Sequence, residues 1–224
     1  MMNNLFENFD SSTNSNMSLN WFMMFFPLLL MPYYYWMIPS RINYLWFLII
    51  NMIYNEFKII TTKFYQSNII IFLSLMIYLM LLNLFSLIPY IFTITSQMSF
   101  NLILSMSLWL SFMLYSWINT PMKNLIHLVP LNTPLMLMHF MVIIELISNL
   151  IRPWTLAIRL TANLISGHLL FTLLGMFMSQ ILLPIMIMTI FIQNLLLILE
   201  FSMSFIQAYV FSILSILYFS ENKC

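Results

Sequence analysis

Two stretches decide what this chain can be. From Pro134 to Met178, and again over 181–219, nearly every residue is apolar. A straight helix of the first length runs roughly 67 Å, more than twice the ~30 Å hydrocarbon core of a bilayer. Two arrangements meet that mismatch. Either both stretches are long, strongly tilted helices, or Pro153 marks a tight turn that splits the first into two crossings. The rest of the composition points the same way. Of 224 residues, 62% are hydrophobic and only 6% are charged. A soluble domain carries about a quarter charged residues. This chain lacks the polar groups to cover itself, so a bilayer must act as its solvent.

Earlier segments divide by the same criterion. Residues 1–19 are polar, with Glu7 and Asp10, and are expected to lie outside the membrane. Residues 20–40 are free of charge and punctuated by Pro27, Pro32 and Pro39, and read as a first crossing. Residues 41–67 mix Arg41, Glu56, Lys58 and Lys63 with Tyr44, Trp46, Phe57 and Phe64. That mixture predicts a helix lying in the interface. Residues 68–118 read as a hairpin of two crossings, with Pro89 ending the first and Pro121 and Pro130 in the loop that follows. Residues 133–219 form the long hairpin.

Charge placement chooses between the two arrangements. With an outer N-terminus and five crossings, Arg41, Lys58, Lys63, Lys123 and Lys223 all fall on the inner side. The loop 89–98 and the turn near 179–182 then fall outside and carry no charge. This is the distribution the positive-inside rule demands. A turn at Pro153 would add crossings. The expected fold is therefore all-α and polytopic, with about five crossings, one interfacial helix and a long tilted C-terminal hairpin.

Composition also bears on origin. The chain has 22 Met and 21 Phe but two Gly, and few Ala or Val. An AT-rich genome with an expanded Met codon set writes such a protein, as mitochondria do; an AT-rich bacterial endosymbiont is the alternative. The polar, acidic N-terminus resembles neither an Arg-rich transit peptide nor a secretory signal. Synthesis close to a mitochondrial inner membrane is expected. A net charge of +1 gives no reason to expect nucleic-acid binding. One cysteine, Cys224, excludes an internal disulfide and a thiolate metal cluster.

Five strongly polar groups sit deep in the long stretches: Glu145, Arg152, Arg159, His168 and Glu200. Ionisable groups in a membrane are costly, about 2.5–3.5 kcal/mol for Arg at a helix centre on insertion scales, so their default reading is functional. Internal ion pairs gluing helices together are the alternative. Helical phase sorts them. Taking Arg159 as zero, Glu145, Ser148, Arg152, Thr155, Ala162, Asn163 and Ser166 lie within about 60° of it, and Gly167 about 80° away. Such a stripe of small and polar groups suits close approach by another helix. His168 points about 180° away, towards a different neighbour. Gln193, Glu200 and Gln207 recur every seven residues and share a face with Ser204. An antiparallel hairpin would bring that face beside the first long helix, with His168 and Glu200 towards the outer side and Glu145 towards the inner. Arg159 falls between, about 14 Å from His168 and 21 Å from Glu145 along an ideal axis.

Two titratable sites thus approach opposite surfaces with a fixed cation between them. A carboxyl or imidazole passes a proton near neutral pH, whereas a guanidinium does not give its proton up. The pattern describes two half-pathways with a plug, and a partner must carry the proton past it. Arg152 reads as structural, within pairing distance of Glu145 one heptad away. His139 reads as a packing or interfacial residue, and His127 as solvated. Tyr33, Tyr34, Tyr35 and Trp36 read as an interfacial aromatic belt.

The segment from Glu145, ELISNLIRPWTLAIRLTANLISGHLLFTLLG, resembles the signature of the mitochondrial ATP synthase subunit a family, and so does IQAYVFSILSILY at 206–218. MNNLFENFD and PSRINYLW are similar to the insect form. The resemblance implies a non-catalytic, proton-translocating stator subunit of the F0 sector, working against a ring of c subunits that each carry a buried carboxyl. It places the family's essential cation at Arg159 and its half-channel polar residues at Glu145, Asn163, His168, Glu200 and Gln207. It implies other F0 stator subunits and lipid as partners, protons as cargo, and no cofactor.

Three other classes fit less well. A b-type haem needs two axial ligands on facing helices; His139 and His168 are far apart on one segment, and His127 is in a loop. A transporter commonly shows internal repeats and broken helices, and no repeat is visible. A structural scaffold gains nothing from burying Arg159.

Overall fold

The computed structural model describes residues 6, 9–13, 17–32, 36–61, 63–89, 91–129, 134–178 and 183–221. Glu7, Tyr33, Tyr34, Tyr35, Pro130, the turn near 179–182, Lys223 and Cys224 lie outside the described residues, as do the side chains of Lys63, Lys123 and His127. Among the described residues the secondary structure is helical, without a strand.

A short 3-10 stretch, Leu19–Phe25, leads into α1, Phe26–Leu30. Pro27 stands in the first turn of α1, where its missing N–H does no harm. The apolar helix Leu19–Leu30 is short and ends where Met31 turns extended. Helix α2, Arg41–Ile60, starts on Ser40, whose hydroxyl accepts the Asn43 N–H at 3.4 Å. After a 3-10 stretch, Lys63–Asn68, come α3, Ile69–Ser86, and α4, Met98–Asn119. The short α5, Pro121–His127, opens on a proline at its first position. Two long helices complete the chain: α6, Leu135–Met178, of 44 residues, and α7, Leu183–Glu221, of 39.

Four of these helices, α3, α4, α6 and α7, are long and apolar enough to cross a bilayer, and Leu19–Leu30 is a shorter apolar one. The protein is an all-α, multi-pass membrane protein. Pro153 does not break α6, which runs through it. A helix of about 66 Å fits a ~30 Å core only if it is steeply inclined. Large apolar side chains line the outward surfaces of α6 and α7, among them Leu173, Ile187, Met188 and Ile198. Lipid or a partner helix, not water, is the solvent for such faces.

The helices alternate in direction. Helix α7 packs chiefly on α3, and α6 chiefly on α4. Three apolar clusters mark successive levels. At one end, Phe57 of α2 meets Ile69 and Phe72 of α3 and Ile216 and Phe219 of α7. At mid-height, Leu79, Leu156, Leu160, Ala208 and Phe211 pack together. At the opposite end, Leu82, Phe92, Ile94 and Phe100 pack with Trp21, Met23 and Met24 of the N-terminal stretch. The C-terminal part of α2 and the stretch around Trp21 therefore pack at opposite ends of the bundle.

Candidate functional site

Polar side chains from three helices converge on one cavity of about 160 Å³. Helix α6 contributes Asn163 and Ser166, one helical turn apart, with Gly167 beside them. Helix α7 contributes Glu200, Ser204 and Gln207, spaced by four and three so that they share a face. Helix α3 contributes Asn83. Leu160, Leu164, Leu170, Leu196, Leu199 and Met203 complete the wall.

The closest approach in this site is between Glu200 and Gly167. A Cβ built on Gly167 would lie 2.7 Å from Glu200 Cδ and would overlap Oε1. The carboxylate thus rests on the bare α6 backbone, which only glycine exposes. Most hydroxyls here are already committed to their own helices. Ser204 Oγ donates to Phe201 O at 2.7 Å, and Ser166 Oγ to Asn163 O at 3.1 Å. Asn83 Nδ2 donates to Ser204 O at 3.4 Å, tying α3 to α7. Of the cavity-lining residues, Asn83 Oδ1 and Glu200 Oε2 are buried without a hydrogen-bond partner among the described residues. Buried polar atoms are normally satisfied, and a cavity this size holds several water molecules. A carboxyl in such a place suits proton exchange.

Of the other residues singled out in the sequence, Gln207 lines this cavity and the rest lie outside its wall. Arg159, half-buried, directly precedes Leu160 in its wall. Gln207 is buried within it. His168 is not part of it. Its ring packs edge-on against Phe9 of the N-terminal segment, with centroids 6.4 Å apart, and its Nε2 is buried with no partner among the described residues. So His168 does not face α7, as its helical phase led one to expect: the helix face at Gly167 meets α7, and His168 meets the N-terminal segment. Glu145 lies near the other end of α6, half-buried and outside the cavity. Arg152 places its guanidinium 5.0 Å from the centre of the Tyr218 ring on α7, a cation–π geometry.

Asn83 has no place in the sequence-based expectation, yet it links two helices in the site. A signal for it exists: it is the one carboxamide among the 18 residues of α3, and polar groups inside membrane helices mark pathways or interhelical contacts.

Comparison with known proteins decides the family. A profile described as ATP synthase A chain matches residues 15–220. The chain belongs to this family. It is 58% identical to ATP synthase subunit a of Apis mellifera ligustica over 225 aligned positions, covering 100% of this chain and 98% of that protein. It is 51% identical to the subunit a of Locusta migratoria and 49% identical to that of Drosophila melanogaster, with 99% of each chain covered in both cases. The similarity to subunit a thus extends over the entire chain, N-terminal segment and α2 included, and is not confined to the polar stripe of α6.

Proposed function

We propose that this chain is the proton-translocating stator subunit of an ATP synthase F0 sector in the mitochondrial inner membrane. In this reading, two offset half-pathways deliver protons to and from carboxyls on a ring of c subunits. The observation that carries it is the Glu200 carboxyl, seated on Gly167 in a cavity lined also by Asn163, Gln207 and Leu160, the residue that follows Arg159. His168, Glu200, Asn163 and Gln207 serve the outer half-pathway; Glu145 serves the matrix half. Helix α2 lies at the matrix interface. ATP chemistry belongs to other subunits, and the chain needs no cofactor for its part.

Arg159 gives the arrangement its logic. A ring carboxyl must lose its proton to pass from one half-pathway to the other. An unpaired carboxylate in the membrane is costly, and a nearby guanidinium offsets that cost. The same fixed charge repels a proton attempting to cross directly. Each proton then traverses the potential only by riding the ring, and ~2.3 kcal/mol per 100 mV becomes available as torque. Lysine loses its proton more readily when buried and lacks the planar fork, so it substitutes poorly. Arg159→Ala is expected to abolish ATP synthesis and ATP-driven pumping while leaving or raising passive proton leak, and Arg159→Lys also fails to couple. Proton flux and ATP turnover measured together in reconstituted vesicles test this. Coupled synthesis near the normal rate in Arg159→Ala overturns the mechanism.

A further inference from the structure

The imidazole of His168 is covered from outside its own helix bundle by Phe9, about 160 residues away in the chain. The two rings stand at 83°, an edge-to-face contact. Phe9 is itself held. Its carbonyl accepts Gln97 Nε2 at 2.6 Å, and its N–H closes a turn onto Phe6 O at 3.0 Å. Gln97 is a firm post for this clamp. It stands between the buried Ile94, Thr95 and Ser96 and the start of α4, and its own N–H donates to Ile94 O at 3.0 Å. Asn101, fully buried one turn on, fastens the same loop by donating Nδ2 to Thr95 O at 2.7 Å.

We infer that Phe9, clamped by Gln97, is a positioning residue for His168 and forms part of the outer wall of the proton path. The inference rests on the proposed relay role of His168. An aromatic ring at a right angle to the imidazole fixes its plane and brings no hydrogen-bonding group of its own. A polar partner in that position would take up the donor or acceptor that a relay must keep free. The phenyl ring also shields the imidazole from bulk water on that side, so protons exchange along a single route. In this arrangement the N-terminal segment is a working component of the proton path, not merely a membrane anchor.

The test uses assembled enzyme reconstituted in vesicles, with the uncharged reagent supplied to both sides. Diethyl pyrocarbonate modification of His168 is followed by mass spectrometry, with the exposed His139 as internal reference, alongside coupled proton flux. Phe9→Ala is expected to raise His168 modification about fivefold relative to His139, the factor expected for loss of one aromatic contact. Phe9→Tyr retains the parent rate, because the ring edge remains. Gln97→Leu, which keeps Phe9 but removes its clamp, moves modification in the same direction as Phe9→Ala and still reports if that variant assembles poorly. Coupled flux falls in the order of increasing modification. Unchanged modification in both Phe9→Ala and Gln97→Leu overturns the inference, and so does a Phe9→Tyr variant that behaves like Phe9→Ala. Normal coupled flux in His168→Ala would instead sink the relay role, while the labelling result would stand.

Discussion

At Gly167 a single hydrogen separates the α6 backbone from the Glu200 carboxyl. Alanine there would set a methyl group 2.7 Å from Glu200 Cδ, so the carboxyl must move. Misplacing a reacting group by about 1 Å costs on the order of 100-fold in rate. Gly167→Ala is expected to lower ATP-driven proton pumping by ~10–100-fold, and Glu200→Asp in the same chain recovers part of the loss by withdrawing the carboxyl one methylene. Gly175→Ala is the control, since a Cβ there meets nothing within 4 Å, and pumping stays normal. Equal losses from the two glycine changes would refute the contact. Helical phase places Gly167 beside the small-residue stripe, a face suited to close approach by another helix. Its neighbour is Glu200, a contact across two helices that no periodicity encodes. The same limit hides Phe9 against His168 and Asn83 against Ser204, pairs far apart in sequence. What the sequence does carry is chemical type. Glu200, Ser204 and Gln207 share a face at helical spacing, and that face does line the cavity.

Among the elements, α2 shows how magnitude decides which contact holds a helix. Two ties join it to the bundle. Tyr209 donates its hydroxyl to Glu56 Oε2 at 2.9 Å, and both groups are exposed. Phe57 is fully buried among Ile69, Phe72, Ile216 and Phe219. An exposed hydrogen bond contributes about 1 kcal/mol or less, whereas truncating a buried Phe costs about 3–5 kcal/mol. Tyr209→Phe should therefore leave the protease resistance of the assembled enzyme nearly unchanged, and Phe57→Ala should expose the α2–α3 junction to cleavage. The opposite ranking would mean that the polar tie anchors α2. Amphipathic composition predicts this helix but not its end. Residues 41–67 contain neither Gly nor Pro, yet α2 stops at Ile60. The N–H and the hydroxyl of Thr61 both donate to Phe57 O, at 3.1 and 3.2 Å, a local side-chain bond that competes with helix propagation. At Pro153 the reverse holds. Proline in a helix interior removes one backbone bond and crowds the preceding turn, which leaves two arrangements open on sequence grounds. Packing favours the unbroken helix: Pro153 is fully buried where Trp109, Phe112, Phe211 and Tyr218 converge.

For the molecule as a whole, the three stacked clusters give the bundle two distinguishable ends. Helix α2, with Arg41 and Lys58, packs at the same end as Phe219 near the finish of α7. The N-terminal stretch around Trp21 packs at the other. Basic residues stay on the inner side because translocating them is disfavoured; in the proposed reading the α2 end therefore faces the matrix and the N-terminal segment faces outward. Helix α7 runs from the outer end to the α2 end. Its last residue, Glu221, is followed directly by the C-terminal Asn-Lys-Cys. Cys224 is the single cysteine of the chain, so one label reports one place. A membrane-impermeant maleimide is expected to modify Cys224 in inside-out vesicles and not in right-side-out ones, with Cys224→Ser unlabelled in both. An odd number of crossings from an outer N-terminus requires that result. Modification from the outer side only would place the α2 end outside as well, because the four long helices return the chain to the side of α2. Arg41 and Lys58 would then face outward, and the assignment of Glu145 and His168 to the inner and outer half-pathways would lose its frame.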